Sequence, residues 1–133
     1  MSNIPRELDW VGVRAACSVQ KIFKELTAGV EDDVKAINAV PLPWPNQNSI
    51  QCSPNRDGTL FVVGRGNAIK GLVKFHLGTD RIEIVDEASD QTLVVTLTVN
   101  DEGRCKLKVG TEELEQWQVR RRALERLFFH PAI

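Results

Sequence analysis

An α+β fold, with an antiparallel meander of five or six strands covered on one face by terminal helices, is predicted by three observations. The first is the stretch from Gln91 to Val109, where Leu93, Val95, Leu97 and Val99 alternate with Val94, Thr96 and Thr98, and after Asn100-Asp101-Glu102-Gly103 Cys105, Leu107 and Val109 alternate with Arg104, Lys106 and Lys108. A period of two on both sides of a turn specifies a pleated pair with one dry and one wet face. The second is helical spacing of apolar residues near both ends of the chain. The third is the shortness of the joints between strand-like runs, since parallel pairing needs a crossover of about a dozen residues.

Taken in order, Ile4-Pro5 leads into a helix whose stripe is Leu8, Val11, Ala15, Val19, Ile22, Phe23 and Leu26, with Pro5 suited to the first turn. Gly29 is expected to stop it, because an interior Gly costs about 1 kcal/mol relative to Ala. Glu31-Asp32-Asp33 then reads as the acidic first turn of a second short helix carrying Val34 and Ile37, with one long helix through Gly29 as the alternative. Between Val40 and Asn48, three Pro at alternate positions dictate extended backbone. Trp44 sits between two of them, either as a lid on the core or as an exposed docking element.

Strands are expected at Ser49 to Ser53, Thr59 to Val63, Leu72 to Leu77 and Arg81 to Val85, followed by the pair already described. The turns between them carry Asn55-Arg56-Asp57-Gly58, the longer loop Gly64 to Gly71, Gly78-Thr79-Asp80, and Asp86 to Asp90. The phase turns Val73, Phe75, Ile82, Ile84, Val95 and Leu107 inward, and it places Lys74, His76, Arg81, Thr96, Arg104, Lys106 and Lys108 on the outer face. A last helix is expected from Glu112 to Phe128, capped by Thr111, with Leu114, Trp117, Leu124, Leu127 and Phe128 on its apolar side and Arg120 and Arg122 on its polar side.

The 133 residues suit a single domain, 1–133, with a core of its own. A hydrophobic fraction of 42% and a charged fraction of 26% fall in the globular range and argue against a disordered or fibrous chain. No apolar run approaches the length of a membrane span, and the first residues lack the pattern of a secretory leader, so the cytosol is the expected compartment. Cys17, Cys52 and Cys105 are odd in number and show no paired spacing; they are expected to be reduced, the first and last as small apolar residues. The net charge of -1 hides an asymmetry: residues 104–133 hold seven basic and four acidic residues, whereas 51–103 hold five and eight.

Chemistry finds little support. His76 and His130 are the two histidines, and neither is spaced to pair with a nucleophile or with a metal-ligating cluster. No catalytic residue, cofactor or metal is therefore expected. Gly64 to Gly71, with Arg65 and Lys70, resembles an anion-binding loop only in composition, since it matches neither phosphate-loop pattern.

Three binding surfaces remain. Trp44, Phe128, Phe129 and Arg122 are the residue types that carry interface energy, and they favour a noncatalytic binding or adaptor module that engages a protein partner or a second copy of itself. A cavity between sheet and helices, lined by Phe23, Phe61, Phe75 and Trp117, is the alternative, with a small apolar ligand or lipid as occupant. The third is a basic sheet face of Lys74, Arg81, Arg104, Lys106 and Lys108 for an anion or single-stranded nucleic acid, a surface that lacks exposed rings for base stacking.

Overall fold

The structure is a computed structural model that describes residues 7–41, 49–66 and 70–129. Helices α1 (Trp10–Ala16) and α2 (Val19–Asn38) precede strands β1 (Ile50–Pro54), β2 (Leu60–Arg65), β3 (Val73–Leu77), β4 (Ile82–Asp86), β5 (Gln91–Val99), β6 (Cys105–Val109) and β7 (Glu112–Leu114), and α3 (Gln116–Phe129) closes the chain. The strands form one antiparallel sheet in sequence order. The fold is α+β as expected, with seven strands among the described residues instead of five or six.

The expected sidedness holds. Cross-strand partners Phe61 and Phe75, Ile84 and Leu93, Leu97 and Leu107, and Leu107 and Leu114 share the face beneath the helices. Val95 is fully buried and Leu107 nearly so, whereas Thr96 is exposed on the opposite face beside Lys108. Both polar turns close as their residues dictate. Asn100 accepts backbone N–H bonds from Glu102 and Arg104, Asn55 does the same for Thr59 and Leu60, and Gly103 and Gly58 take the left-handed positions at φ 79° and 75°.

The N-terminal helices depart from expectation. The break falls at Cys17-Ser18, where the Ser18 hydroxyl accepts the Lys21 N–H at 3.1 Å and caps α2, and α2 then runs unbroken through Gly29. A capped start supplies what a helix entry needs, and Gly29 is retained because the Arg120 side chain lies against it: a Cβ there would sit 2.6 Å from Arg120 Nη1. Leu8, Val11 and Ala15 are exposed, so the buried stripe begins only at Cys17 and continues through Ile22, Phe23, Leu26, Val30, Val34 and Ile37. At the end of α2, the Asn38 amide accepts from Ile50 N and donates to Ile50 O, which satisfies part of the edge strand as another strand would.

Two further corrections concern the C-terminal half. Residues 112–114, expected in the last helix, form β7, because the chain reverses at Gly110 (φ 62°) and Leu114 comes to lie opposite Leu107. Thr111 is therefore not a helix cap, and α3 starts at Gln116, with the Gln118 side chain accepting the Glu115 N–H. The expectation of three reduced thiols also fails: Cys17 is disulfide-bonded to Cys105 with Cα atoms 5.5 Å apart. The bond ties the α1–α2 joint to the start of β6, across 88 residues of sequence. Cys52 remains free, with burial and the nearby Glu31 carboxylate pushing its thiol up and keeping it protonated.

Candidate functional site

Helices α2 and α3 lie side by side on the inner sheet face, and the groove between them is a concavity with a mainly apolar lining. On α3, side chains four apart form inclined ridges. Arg120, Leu124 and Phe128 make the ridge at the floor of the groove, and Trp117, Arg121, Glu125 and Phe129 make the next one, along its rim. Asp33, Ala36, Ile37 and Val40 supply the opposite wall. The groove is open to solvent and has a volume of about 340 Å³.

Each part of this site has a local cause. Gly29 allows Arg120 to lie flat against α2, where its Nε donates to Asp33 Oδ2 at 2.7 Å and sets the helix spacing. At the far end of α3, Arg65 of β2 donates through Nη2 to the carbonyls of Leu127 at 2.6 Å and Phe128 at 3.2 Å, placing a cation on the negative helix end. Burial, and then the neighbouring Arg126, lowers the pKa of Arg65 from its ordinary value. Arg126 Nε donates to Asp86 Oδ2 at 2.6 Å. Burial pushes the Asp86 carboxyl up, but the hydrogen bond and charge of Arg126 outweigh that and hold it below the usual aspartate value. These ties to β2 and β4 fix where Phe128 and Phe129 stand.

The groove is apolar and electrically balanced. Arg120 is paired with Asp33, and Arg121 with Glu125 at 3.0 Å. Trp117 is 55% exposed, Phe129 46% and Val40 46%, and all three border the same concavity. Large apolar side chains gathered around one groove form the kind of patch that marks an interaction site, whereas scattered ones do not.

The residues singled out from the sequence fall in several places. Phe129 is at the groove rim, but Phe128, expected on a contact surface, is 6% exposed and serves as floor. Arg122 faces β7, where it makes a two-pronged bond to Glu112 at 2.8 and 3.3 Å. Trp44 and His130 lie outside the described residues. Phe23, Phe61 and Phe75 are packed into the core, the last two edge to face at 6.4 Å between ring centroids, and none of them lines the groove. Trp117, expected with them inside, is 55% exposed in the first turn of α3, although it falls on the same helical face as the buried Leu124 and Phe128.

On the outer face, Lys74 pairs with Glu87, Arg81 lies by Asp80 and Glu83, Lys106 pairs with Glu115, and Lys108 is opposite Glu113 in the ladder. Arg104 is exposed at the β5–β6 turn. Interleaved carboxylates leave this face mixed in sign instead of uniformly basic. His76 is exposed, opposite Leu60 and Glu83. Gly64 and Arg65 of the expected anion loop belong to β2, with Arg65 committed to α3, and residues 67–69 lie outside the described residues. Among the described residues no three metal-ligating side chains come together.

Sequence reasoning missed the groove, although one signal was present: large side chains at 117, 121, 125 and 129 recur every four residues. No family model, curated protein or solved structure matches this chain, so its functional reading rests on the geometry of the groove.

Proposed function

We propose that the chain is a noncatalytic binding module that takes a helical protein segment into the groove between α2 and α3. The supporting observation is the convergence of Val40, Trp117 and Phe129, each about half exposed, on one apolar concavity. Covering such side chains gains about 1.5–3 kcal/mol each. An amphipathic helix offers the complementary shape, with apolar anchors one turn apart. The floor is set by packed and hydrogen-bonded residues, so little ordering is required on binding.

The cytosolic setting expected from the sequence stands against the Cys17–Cys105 bond, because such bonds persist chiefly in oxidising compartments. Thiol counting on protein from freshly quenched cells discriminates: one free thiol per chain supports an oxidising compartment, and three support the cytosol.

The binding reading is tested with the apolar fluorophore anilinonaphthalene sulfonate at submicromolar chain concentration. Saturable fluorescence that falls at least about fivefold in Trp117→Ala and Phe129→Ala is expected. Fluorescence that is absent, or indifferent to both substitutions in folded protein, rejects the groove as a binding surface.

A further inference from the structure

We infer that the helix taken into this groove is α3 of a second copy, the two packing antiparallel about a two-fold axis that passes between Arg121 and Glu125, level with position 123 but on the exposed side of the helix, opposite the buried Ala123. This rests on the groove being a binding surface and adds the identity of its occupant.

The observation is a palindrome in chemistry along one exposed ridge. Trp117, Arg121, Glu125 and Phe129 are four residues apart, all exposed, and read aromatic, basic, acidic, aromatic. When a copy is turned end for end about position 123, Trp117 meets Phe129 of the other chain and Arg121 meets Glu125. The same contacts recur on the far side of the axis. A two-fold interface requires this self-complementarity, in which the patch that offers a residue also accepts its counterpart. A ridge that read basic at both inner positions would repel its own copy.

The packing geometry agrees. A ridge of residues four apart is inclined to the helix axis, and two such ridges interdigitate when their helices cross at about -50°. The groove that receives the partner's ridge is then the one between a copy's own ridge and α2, which is the concavity seen here. The ridge spans about 18 Å at 1.5 Å per residue. Helices crossing at that angle diverge toward their ends, so the largest side chains are needed there and the smaller charged pair near the axis.

Within one chain, Arg121 and Glu125 pair in the order that stabilises a helix less, basic residue first. Both are exposed, so the pair contributes little to the isolated fold. Across the two-fold each charge gains a second partner in a partly dehydrated setting.

Sedimentation velocity on the full chain tests this. Wild type is expected at twice the 14.9 kDa chain mass at tens of micromolar. Arg121→Glu and Glu125→Arg each place like charges across the axis, and each is expected to weaken the dimer by at least about tenfold. The double variant R121E/E125R restores the palindrome and returns to within about threefold of wild type. An equimolar mixture of the two single variants forms a mixed dimer tighter than either alone. Trp117→Ala, read alongside circular dichroism to confirm folding, also dissociates the dimer.

A wild-type chain that stays at single mass up to about 1 mM overturns the inference. So does a dimer that ignores the charge changes or is not rescued by the double variant. Fluorophore binding to a monomeric wild type that depends on Trp117 and Phe129 overturns self-pairing while leaving the binding reading intact. Loss of both signals removes both.

Discussion

Arg120 of α3 donates through Nε to Asp33 of α2 at 2.7 Å, crossing the second helix at the bare backbone of Gly29. One relationship thus explains why a glycine persists inside a twenty-residue helix and what sets the floor of the groove. In an isolated helix Gly29→Ala gains about 1 kcal/mol, but here the added methyl presses on the Arg120 guanidinium. In an Arg120→Ala background Gly29→Ala is expected to stabilise by about 1 kcal/mol, and in the intact chain to give no gain. Urea unfolding of the four proteins measures the coupling; equal effects in both backgrounds would show that Arg120 does not restrain position 29.

The Cys17–Cys105 bond closes a long loop and anchors a helix, α1, that contributes no buried residue of its own. Its removal by Cys105→Ser is expected to cost about 2–4 kcal/mol, which for a chain of 133 residues lowers Tm by about 7–14 °C. Reductant lowers the Tm of wild type toward the variant and leaves the variant unmoved. A wild-type melting curve insensitive to reductant after complete thiol release contradicts the structural role of the bond.

The two faces of β5 give a test one residue apart. Val95 is fully buried and Val94 is on the outer face. Val95→Thr introduces a hydroxyl into the core and is expected to cost about 1–3 kcal/mol, whereas Val94→Thr stays within about 0.5 kcal/mol of wild type. Comparable losses at both positions would contradict a one-sided sheet.

Asp86 links β4 to α3 through Arg126, and its carboxyl is held below its unfolded value. The sign follows: the contribution is complete above the unfolded pKa near 3.8 and is lost as pH falls through the lower folded value. Asp86→Ala is expected to destabilise by about 1.5–3 kcal/mol at neutral pH. The gap from wild type narrows as pH drops below the ordinary aspartate range, as read from denaturant midpoints. A gap that widens in acid refutes the pairing.

Much of the sheet was legible from residues 49–109, because alternation and turn chemistry are local and each side chain's face follows from its parity. Asn100, Asn55, Gly103 and Gly58 act as their types require. The α2 boundary was not legible, since Gly29 is tolerated through a contact with a residue 91 positions away in sequence. Strand β7 looked helical because Glu112, Glu113 and Leu114 acquire their pairing only after the chain has turned at Gly110.

What the sequence determined by itself is the class of fold, the sidedness of the meander and the chemistry of its turns, all consequences of short-range stereochemistry and a period of two. Tertiary structure alone decided that Cys17 meets Cys105, that Trp117 stays out while Leu124, Leu127 and Phe128 of the same apolar side go in, and that α2 and α3 leave a groove between them. Those outcomes depend on helix placement across the sheet, where a shift of one residue rotates a side chain by about 100° around its axis. Periodicity identifies a helix with an apolar side, but the inward direction is set by the neighbour it packs against.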